Sequence, residues 1–400
     1  MTPTTLEKKI IALRQKCSIC AQSTLESLID LPGLPLTERY AKIPMQTMPK
    51  GIDQKFLYCS HCGHGQLAYQ VNPAELYDET YFFRTSKSLK ARAGTEFFLS
   101  SLRAIAGDRT FECAVDVGCN DLYLLNQLKG KAKVRIGIDP ILKIESGSFD
   151  QDIITIPEMI EDVNFSAFAS QPADLVVCRH TLEHIFDPRL ALSKLFEWGN
   201  ENTLYCFEVP GLDTLLERFR FDQIFHQHLQ YFSLFSFIRL IEELGVQYQG
   251  SFLNRHDWGA FFIAFKKSAV PQKSRAQFKQ WKAAEIQERF KIFRSHMDSS
   301  REILERQTGN FYGYGAGNML PVLAYHLGSD LSFLKAVLDD NPEKDGWYYW
   351  NLPLAITRPQ KVGSLKDEAI MITAVDNAYP ILKKLLIEQP RDILYPLMVL

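Results

Sequence analysis

Four of the eight cysteines fall in two Cys-x-x-Cys pairs, Cys17/Cys20 and Cys59/Cys62. Each pair sets two thiolates on one tight turn, and two such turns complete a tetrahedral sulfur shell for zinc. A closed shell of four thiolates leaves no position for a substrate, so this zinc is structural and folds a module. The long insertion between the pairs, with its LPGLPLTERY excursion, makes the module loop-rich rather than a nucleic-acid finger. His61 and His64 are read as surface or outer residues of that site. A second concentration of reactive types lies at FDQIFHQHLQYFSLF, residues 221–235. Histidine is suited to proton transfer near neutral pH. His226 and His228, two apart, share a face if the segment is extended, and Asp222, Gln227 and Tyr231 flank them. A third group, Arg179, His180, Glu183 and His184, follows an apolar run at Leu175 to Cys178.

These side chains need a scaffold, and the stretch AVDVGCNDLYLLNQLKGKAKVRIGIDP from Ala114 to Pro140 supplies its centre. A short apolar strand turns at Gly118-Cys119-Asn120-Asp121, enters a helix through Leu124, Leu125 and Leu128, and returns as a strand ending at Asp139. That is a βαβ half-unit. A carboxylate closing the second strand about 20 residues on is positioned to bind a ribose diol. Leu122 and Tyr123 stand where a dinucleotide fingerprint has further glycines. Asp116, two before the turn glycine, suits a ligand with an amino acid and a sulfonium better than a pyrophosphate. The expected cofactor is therefore S-adenosyl-L-methionine before NAD, with Asp116, Gly118, Asn120, Asp121, Asp139, His180 and Glu183 as cofactor-binding candidates. His180 and Glu183 follow a predicted parallel strand at its carboxyl end, where open α/β sheets bind ligands.

Further along, Leu204 to Val209 reads as a strand broken by Pro210-Gly211, and residues 278–307 as a charged amphipathic connector helix. FYGYGAGN then opens a second nucleotide-type βαβ unit whose next strand ends at Asp339-Asp340; close packing alone also explains such glycines. Tyr77, Tyr81, Ser86 and Ser88, in an aromatic and hydroxyl-rich linker, are candidates for a polar pocket. The expected division is a zinc module at 1–72, a central domain at 73–269, a connector at 270–308 and a C-terminal Rossmann-like lobe at 309–400.

Bulk properties narrow the function classes. With 400 residues, two or three domains are expected. A formal charge of −2 and no polybasic tract argue against nucleic acid and anionic membrane as partners, leaving small-molecule work. No run has the length and apolarity of a signal or membrane span, and scattered unpaired cysteines suit a reducing compartment, so a cytoplasmic location is expected.

The order of parts resembles the nucleotide-sugar C-methyltransferases: Cys17/Cys20 and Cys59/Cys62 around LIDLPGLPL, then ELYDETYFFRTS, DVGCND with GIDP, RHTLEHIFDP, FEVPGLDTLL with FDQIFHQHLQYFS, and GYGAGN with LDDNPEKDG. The resemblance implies an α/β fold in three parts: a zinc module, a class I methyltransferase domain, and a Rossmann-like lobe that helps hold a sugar nucleotide. Tyr77, Tyr81, Ser86, Gly313, Gly315 and Asn318 become substrate-binding candidates. The family stretch Tyr-His-Glu-His, carried over by position, implies His228 as catalytic base with His226 beside it. Here Phe225 replaces the tyrosine and Gln227 the glutamate, and Leu122 replaces a glycine of the cofactor turn. Phe225 cannot donate to an enolate oxygen, and neutral Gln227 cannot raise a neighbouring imidazole's basicity as a carboxylate would. O-methylation, or a family member that binds without catalysing, is therefore an alternative. A nicotinamide oxidoreductase and a zinc-containing RNA methyltransferase are weaker ones.

Overall fold

The strand Phe111–Val117 is buried at every position but Glu112, the pattern of a strand covered on both faces. It lies inside a seven-stranded sheet in the computed structural model, which describes residues 9–76, 83–143, 152–168, 172–255, 259–268, 274 and 277–397. From one edge the strands are Val246–Asn254, Ala260–Lys267, Leu204–Val209, Leu175–Arg179, Phe111–Val117, Ala132–Ile138 and Ile153–Ile156. By their order in the chain they read sixth, seventh, fifth, fourth, first, second, third. Every pairing is parallel except the two made by Ala260–Lys267. The winding reverses between Phe111–Val117 and Leu175–Arg179, so the ligand-binding switch point lies at the carboxyl ends of those two strands.

Local chemistry starts the covering helices where the sheet needs them. Ser88 caps Leu89–Ala106 by accepting from the Ala91 amide, and Phe98 of that helix meets Phe262 edge-on at 5.1 Å. Asp187 caps Pro188–Trp198, which carries proline in its first turn, and Ser233 with Ser236 forms a capping box for Leu234–Glu243.

A second parallel sheet has the order Ile356–Thr357, Val337–Leu338, Phe311–Tyr314, Ala369–Ile372, Asp392–Leu394, again reversing beside its first strand. In the chain the helix Ala283–Glu305 links the two sheets, and it packs on the strand Leu25–Leu34 and the helix Leu320–Leu327. Its buried residues Ile286, Phe293, Met297, Ser300 and Leu304 recur every three, four or seven positions along one face. It begins at Ala283 because Glu285 accepts from the Lys282 amide at 2.9 Å, which stops the helical pattern of residues 278–307 short at its start.

The cysteine-bearing module is a four-stranded antiparallel sheet in the order Gln230–Tyr231, His64–Leu67, Ile52–Cys59, Leu25–Leu34. Its first strand belongs to the histidine-rich tract. The module also pairs Tyr40–Ala41 with Tyr348–Tyr349 beyond the connector helix. Backbone ladders thus tie it to both parallel-sheet units. The architecture is mixed α/β, Rossmann-like at its centre, with a cysteine-rich N-terminal module. Among the described residues no helix is long and apolar enough to cross a membrane.

Candidate functional site

Cys17, Cys20, Cys59 and Cys62 converge with all four sulfurs within 4.8 Å of one another. Cys17 Sγ is 3.5 Å from Cys62 Sγ, and Cys20 Sγ is 3.6 Å from Cys59 Sγ. A tetrahedron of sulfurs about 2.3 Å from zinc has edges of about 3.8 Å, so the cage fits the ion with little adjustment. All four thiols are free of disulfides. His61 is exposed and lies by Arg239, while His64 is buried, bonded through Nε2 to Gln230 Oε1 at 2.9 Å, and packed on Phe232. Neither joins the sulfur cluster, and burial pushes His64 down to about 4.

At the central switch point, Gly118 has φ +75°, and a Cβ there would lie 1.8 Å from Thr181 Oγ1. Glycine lets the loop after Leu175–Arg179 close onto the turn. Asn120 and Leu122 in the turn, and His180 across from it, also have positive φ (48°, 63° and 48°), a sparsely populated region for residues with side chains. The Leu122 value is one that glycine adopts freely and a residue with a side chain does not. Leu122 is instead 1% exposed, and its Cδ2 lies 2.7 Å from where a Cβ on Gly137 would sit.

Asp139 ends its strand at the same crevice. Its Oδ2 accepts from the Asn120 amide and its Oδ1 from the Ile141 amide, both at 2.9 Å. Two backbone donors thereby fix the plane of a half-buried carboxylate at the turn, which suits a ribose diol: each carboxylate oxygen can accept more than one hydrogen bond. Asp116 is 2% exposed. Burial pushes it up to about 7, with Arg179 opposing and Asp139 reinforcing the rise. A buried carboxyl so poised fits a cationic ligand group. The side chains of Asn120 and Asp121 hold the linker instead, accepting from the amides of Thr85 (3.1 Å) and Ser86 (2.9 Å). Tyr77 and Tyr81 lie outside the described residues; Ser86 is exposed.

Facing the turn, Arg179 donates to Glu208 Oε1 at 2.9 Å, and His180 Nε2 is 3.0 Å from the same oxygen. Glu208 is fully buried. The sequence reading did not single it out, although a carboxylate inside the apolar strand Leu204–Val209, next to a predicted switch point, was a usable signal. Glu183 is 1% exposed, 3.6 Å from His180 Nδ1 and 4.0 Å from His184 Nε2. His228 completes the group, its ring centroid 5.0 Å from that of His184 and 4.2 Å from that of Phe225. Burial, then His184 and His180, hold His228 well below the usual imidazole range.

His226 and His228 do not share a face. Residues 226 and 227 form a turn, and the ladder begins only at Gln230. His226 instead bonds through Nε2 to Leu34 O at 3.0 Å inside the zinc module, and burial pushes it down to about 4. The Gln227 side chain also points there, accepting from Thr37 Oγ1 at 3.0 Å. Asp222 pairs bidentately with Arg220 at 2.8 Å, and the Tyr231 hydroxyl accepts from the Phe225 amide and donates to Gln223 O. These flanking groups brace the tract. In the C-terminal unit a Cβ on Gly313 or Gly315 would meet Thr373 (2.8 Å) or Ala374 (2.4 Å), and Asn318 bonds Tyr40 and Glu38 of the zinc module.

Residues 89–249 match the family model described as "Methyltransferase domain", and residues 17–77 the one described as "Putative zinc binding domain". C-methyltransferase NovU of Streptomyces niveus is 30% identical over 141 residues, 34% of this chain and 33% of that protein, so the match spans about a third of that relative. Among solved structures, N-methyltransferase NodS from Bradyrhizobium japonicum WM9, in complex with S-adenosyl-L-homocysteine, is 13% identical over 49% of this chain and 95% of its own, with a TM-score of 0.36. Magnesium protoporphyrin IX methyltransferase from Synechocystis PCC 6803 is 11% identical over 45% of this chain and 84% of its own, with a TM-score of 0.35. The switch point at Gly118 and His180 therefore belongs to an S-adenosylmethionine-dependent methyltransferase domain, and the four-cysteine cage to a zinc-binding module.

Proposed function

We propose that the chain transfers a methyl group from S-adenosylmethionine to a nucleotide-linked keto-sugar at the crevice between Gly118 and His180. One observation carries the reading: Asp139, clamped by the Asn120 and Ile141 amides, closes a strand at the switch point of a sheet matched as a methyltransferase domain. The likeness to a C-methyltransferase supports transfer to carbon. The sugar nucleotide, and the division at 1–72, 73–269, 270–308 and 309–400, come from the resemblance of the whole chain.

S-adenosylmethionine supplies a methyl group on a sulfonium, an electrophile that needs alignment more than activation. Asp139 holds the ribose hydroxyls and Asp116 faces the amino-acid end. The acceptor lies on the side of Glu183, His184 and His228, and His228 takes its proton. A neutral imidazole at neutral pH, as burial enforces here, is the form able to do so. Phe225 against His228 offers no donor to an enolate oxygen, which keeps O-methylation as a second reading.

The test is mass spectrometry of products from a panel of nucleotide-sugars incubated with methyl-labelled S-adenosylmethionine. A mass gain on one sugar, lost in His228→Ala with cofactor binding retained, is expected. Unchanged turnover in His228→Ala removes that residue from proton transfer, and no labelled product from any keto-sugar rejects the acceptor class.

A further inference from the structure

The carboxylate of Glu183 is enclosed, yet neither of its oxygens accepts a hydrogen bond. Burying an ionised carboxylate without such partners costs several kcal/mol, roughly the penalty that pairing or metal coordination normally removes. Its neighbours are imidazoles. Glu183, His184 and His228 each offer a ligand atom, all within 4.8 Å of one another.

Hydrogen bonds on the outer side of the cluster decide which nitrogens face inward. His184 Nδ1 is 2.9 Å from the Gln227 carbonyl, and a carbonyl only accepts, so Nδ1 carries the proton. The nitrogen directed at Glu183 is then Nε2, which bears a lone pair in the neutral ring. His180 repeats the arrangement: its Nε2 lies 3.0 Å from Glu208, and its Nδ1 3.6 Å from Glu183. Ring lone pairs directed at a carboxylate repel it unless positive charge lies between them. A ligating histidine characteristically gives its other N–H to a carbonyl or carboxylate, as His184 and His180 both do.

We propose that Glu183, His184 and His228 form a second metal centre, distinct from the cysteine cage, that binds a divalent first-row transition ion. Two imidazoles and one carboxylate are the donor set of zinc, iron, cobalt or nickel sites that keep positions open for an exogenous ligand. Bonds of about 2.0–2.2 Å separate neighbouring ligand atoms by about 3.3–3.5 Å, so the 4.0 Å between Glu183 and His184 needs only a small inward shift. Calcium and magnesium, which favour all-oxygen shells, do not suit this set.

The ion's binding stands apart from the methyl-transfer reading; only its use rests on it. A Lewis acid here would take the acceptor oxygen and stabilise the charge that Phe225 cannot. His228 would then be a ligand and not the base, and the acceptor proton, made more acidic by the ion, would pass to solvent water.

Cobalt(II) loading of the full-length protein tests the proposal. The cysteine cage gives intense thiolate-to-cobalt absorption in the near ultraviolet, whereas a centre of two imidazoles and a carboxylate gives only weak visible bands. Two equivalents are expected in the native protein by elemental analysis. Glu183→Gln and His228→Gln, each checked by circular dichroism, should fall to one equivalent, keeping the thiolate band and losing the visible excess. One equivalent in the native protein at saturation, or a second that survives in both variants, overturns the site. If either variant fails to fold, the native stoichiometry decides with the other. Labelled-methyl turnover on the same samples separates the readings: turnover with one equivalent rejects the ion alone, and two equivalents without turnover reject methyl transfer alone.

Discussion

Asp116 gives the central sheet a pH-dependent stability whose sign follows from its burial. At 2% exposure its carboxyl titrates at about 7 rather than 3.8, because desolvation penalises the ionised form more than Arg179 relieves it. The folded pKa lies above the unfolded one, so between them the folded chain binds more protons. Stability is full below about pH 4 and is lost as pH rises through about 7. Three pH units at about 1.36 kcal/mol each give roughly 4 kcal/mol across the whole range, and about 3 kcal/mol between pH 5 and pH 8. Asp116→Asn removes the titration, so relative to the native chain it should gain about 3 kcal/mol over that interval. Three packed units need not unfold as one transition, so the measurement should be local: native-state hydrogen exchange of the amides in Phe111–Val117, at several pH values and corrected for intrinsic rates. A cationic ligand beside Asp116 would lower its pKa, so cofactor binding near pH 6 should also release protons, seen as a buffer-dependent enthalpy in calorimetry. Equal pH slopes in the two proteins, or a native chain that gains stability from pH 5 to 8 relative to the variant, would refute the burial argument.

Three further outcomes follow from named contacts. Cys59→Ser should release the cage zinc and abolish protection in the ladder between Leu25–Leu34 and Ile52–Cys59, and stripping all metal by strong chelation should do the same to that ladder; protection that persists without metal would make the cage dispensable. Gly118→Ala forces φ +75° on a residue with a side chain and sets its Cβ against Thr181, so a loss of at least about 2 kcal/mol is expected. Adding Thr181→Gly should restore part of it, and strictly additive effects would deny the contact. Asp139→Asn should weaken S-adenosylmethionine binding about 10-fold or more by calorimetry, since hydrogen bonds to a charged group contribute about 1.5–3 kcal/mol; equal affinity would remove Asp139 from the ribose.

The parallel-sheet core was legible because burial on both faces writes continuous apolar runs, as at Leu175 to Cys178. The cysteine cage was legible because its local spacing already places two ligands per turn. The histidine tract was not, since its outcome depends on long-range partners. A period-two argument assumes extended chain at residues 226–228, whereas His184 draws the Gln227 carbonyl and Leu34 draws His226 in a different direction. In the sequence Glu183 and His184 only follow the apolar run Leu175 to Cys178; the tertiary structure sets His228 against them. Leu122 read as a departure from a cofactor turn, and its backbone at φ +63° identifies it as a side chain in a glycine conformation.

The two parallel sheets build the same device, and comparing them shows what a glycine-rich turn can report. Asp339 accepts from the Ala316 amide at 2.6 Å and the Asn341 amide at 2.8 Å, as Asp139 accepts from Asn120 and Ile141. In each unit a glycine with positive φ lies against the second residue after the neighbouring strand: Gly118 against Thr181, Gly315 against Ala374. What crosses the turn differs. Over the first lies the backbone of Thr85 and Ser86, an exposed stretch held by two amide hydrogen bonds. Over the second lies a set of side chains of which Tyr40 is buried and the rest half-buried: Tyr40 bonds Asn318 and Ala316 O, Glu38 bonds Asn318, and Lys344 Nζ donates to Ala316 O at 2.7 Å. Displacing the linker costs few contacts. Displacing Tyr40 also strains the ladder between Tyr40–Ala41 and Tyr348–Tyr349. The glycines at 313 and 315 lie against Thr373 and Ala374 where the zinc module docks, whereas Gly118 lies against Thr181, in the loop that carries His180 and Glu183, and chemistry is to be sought there first.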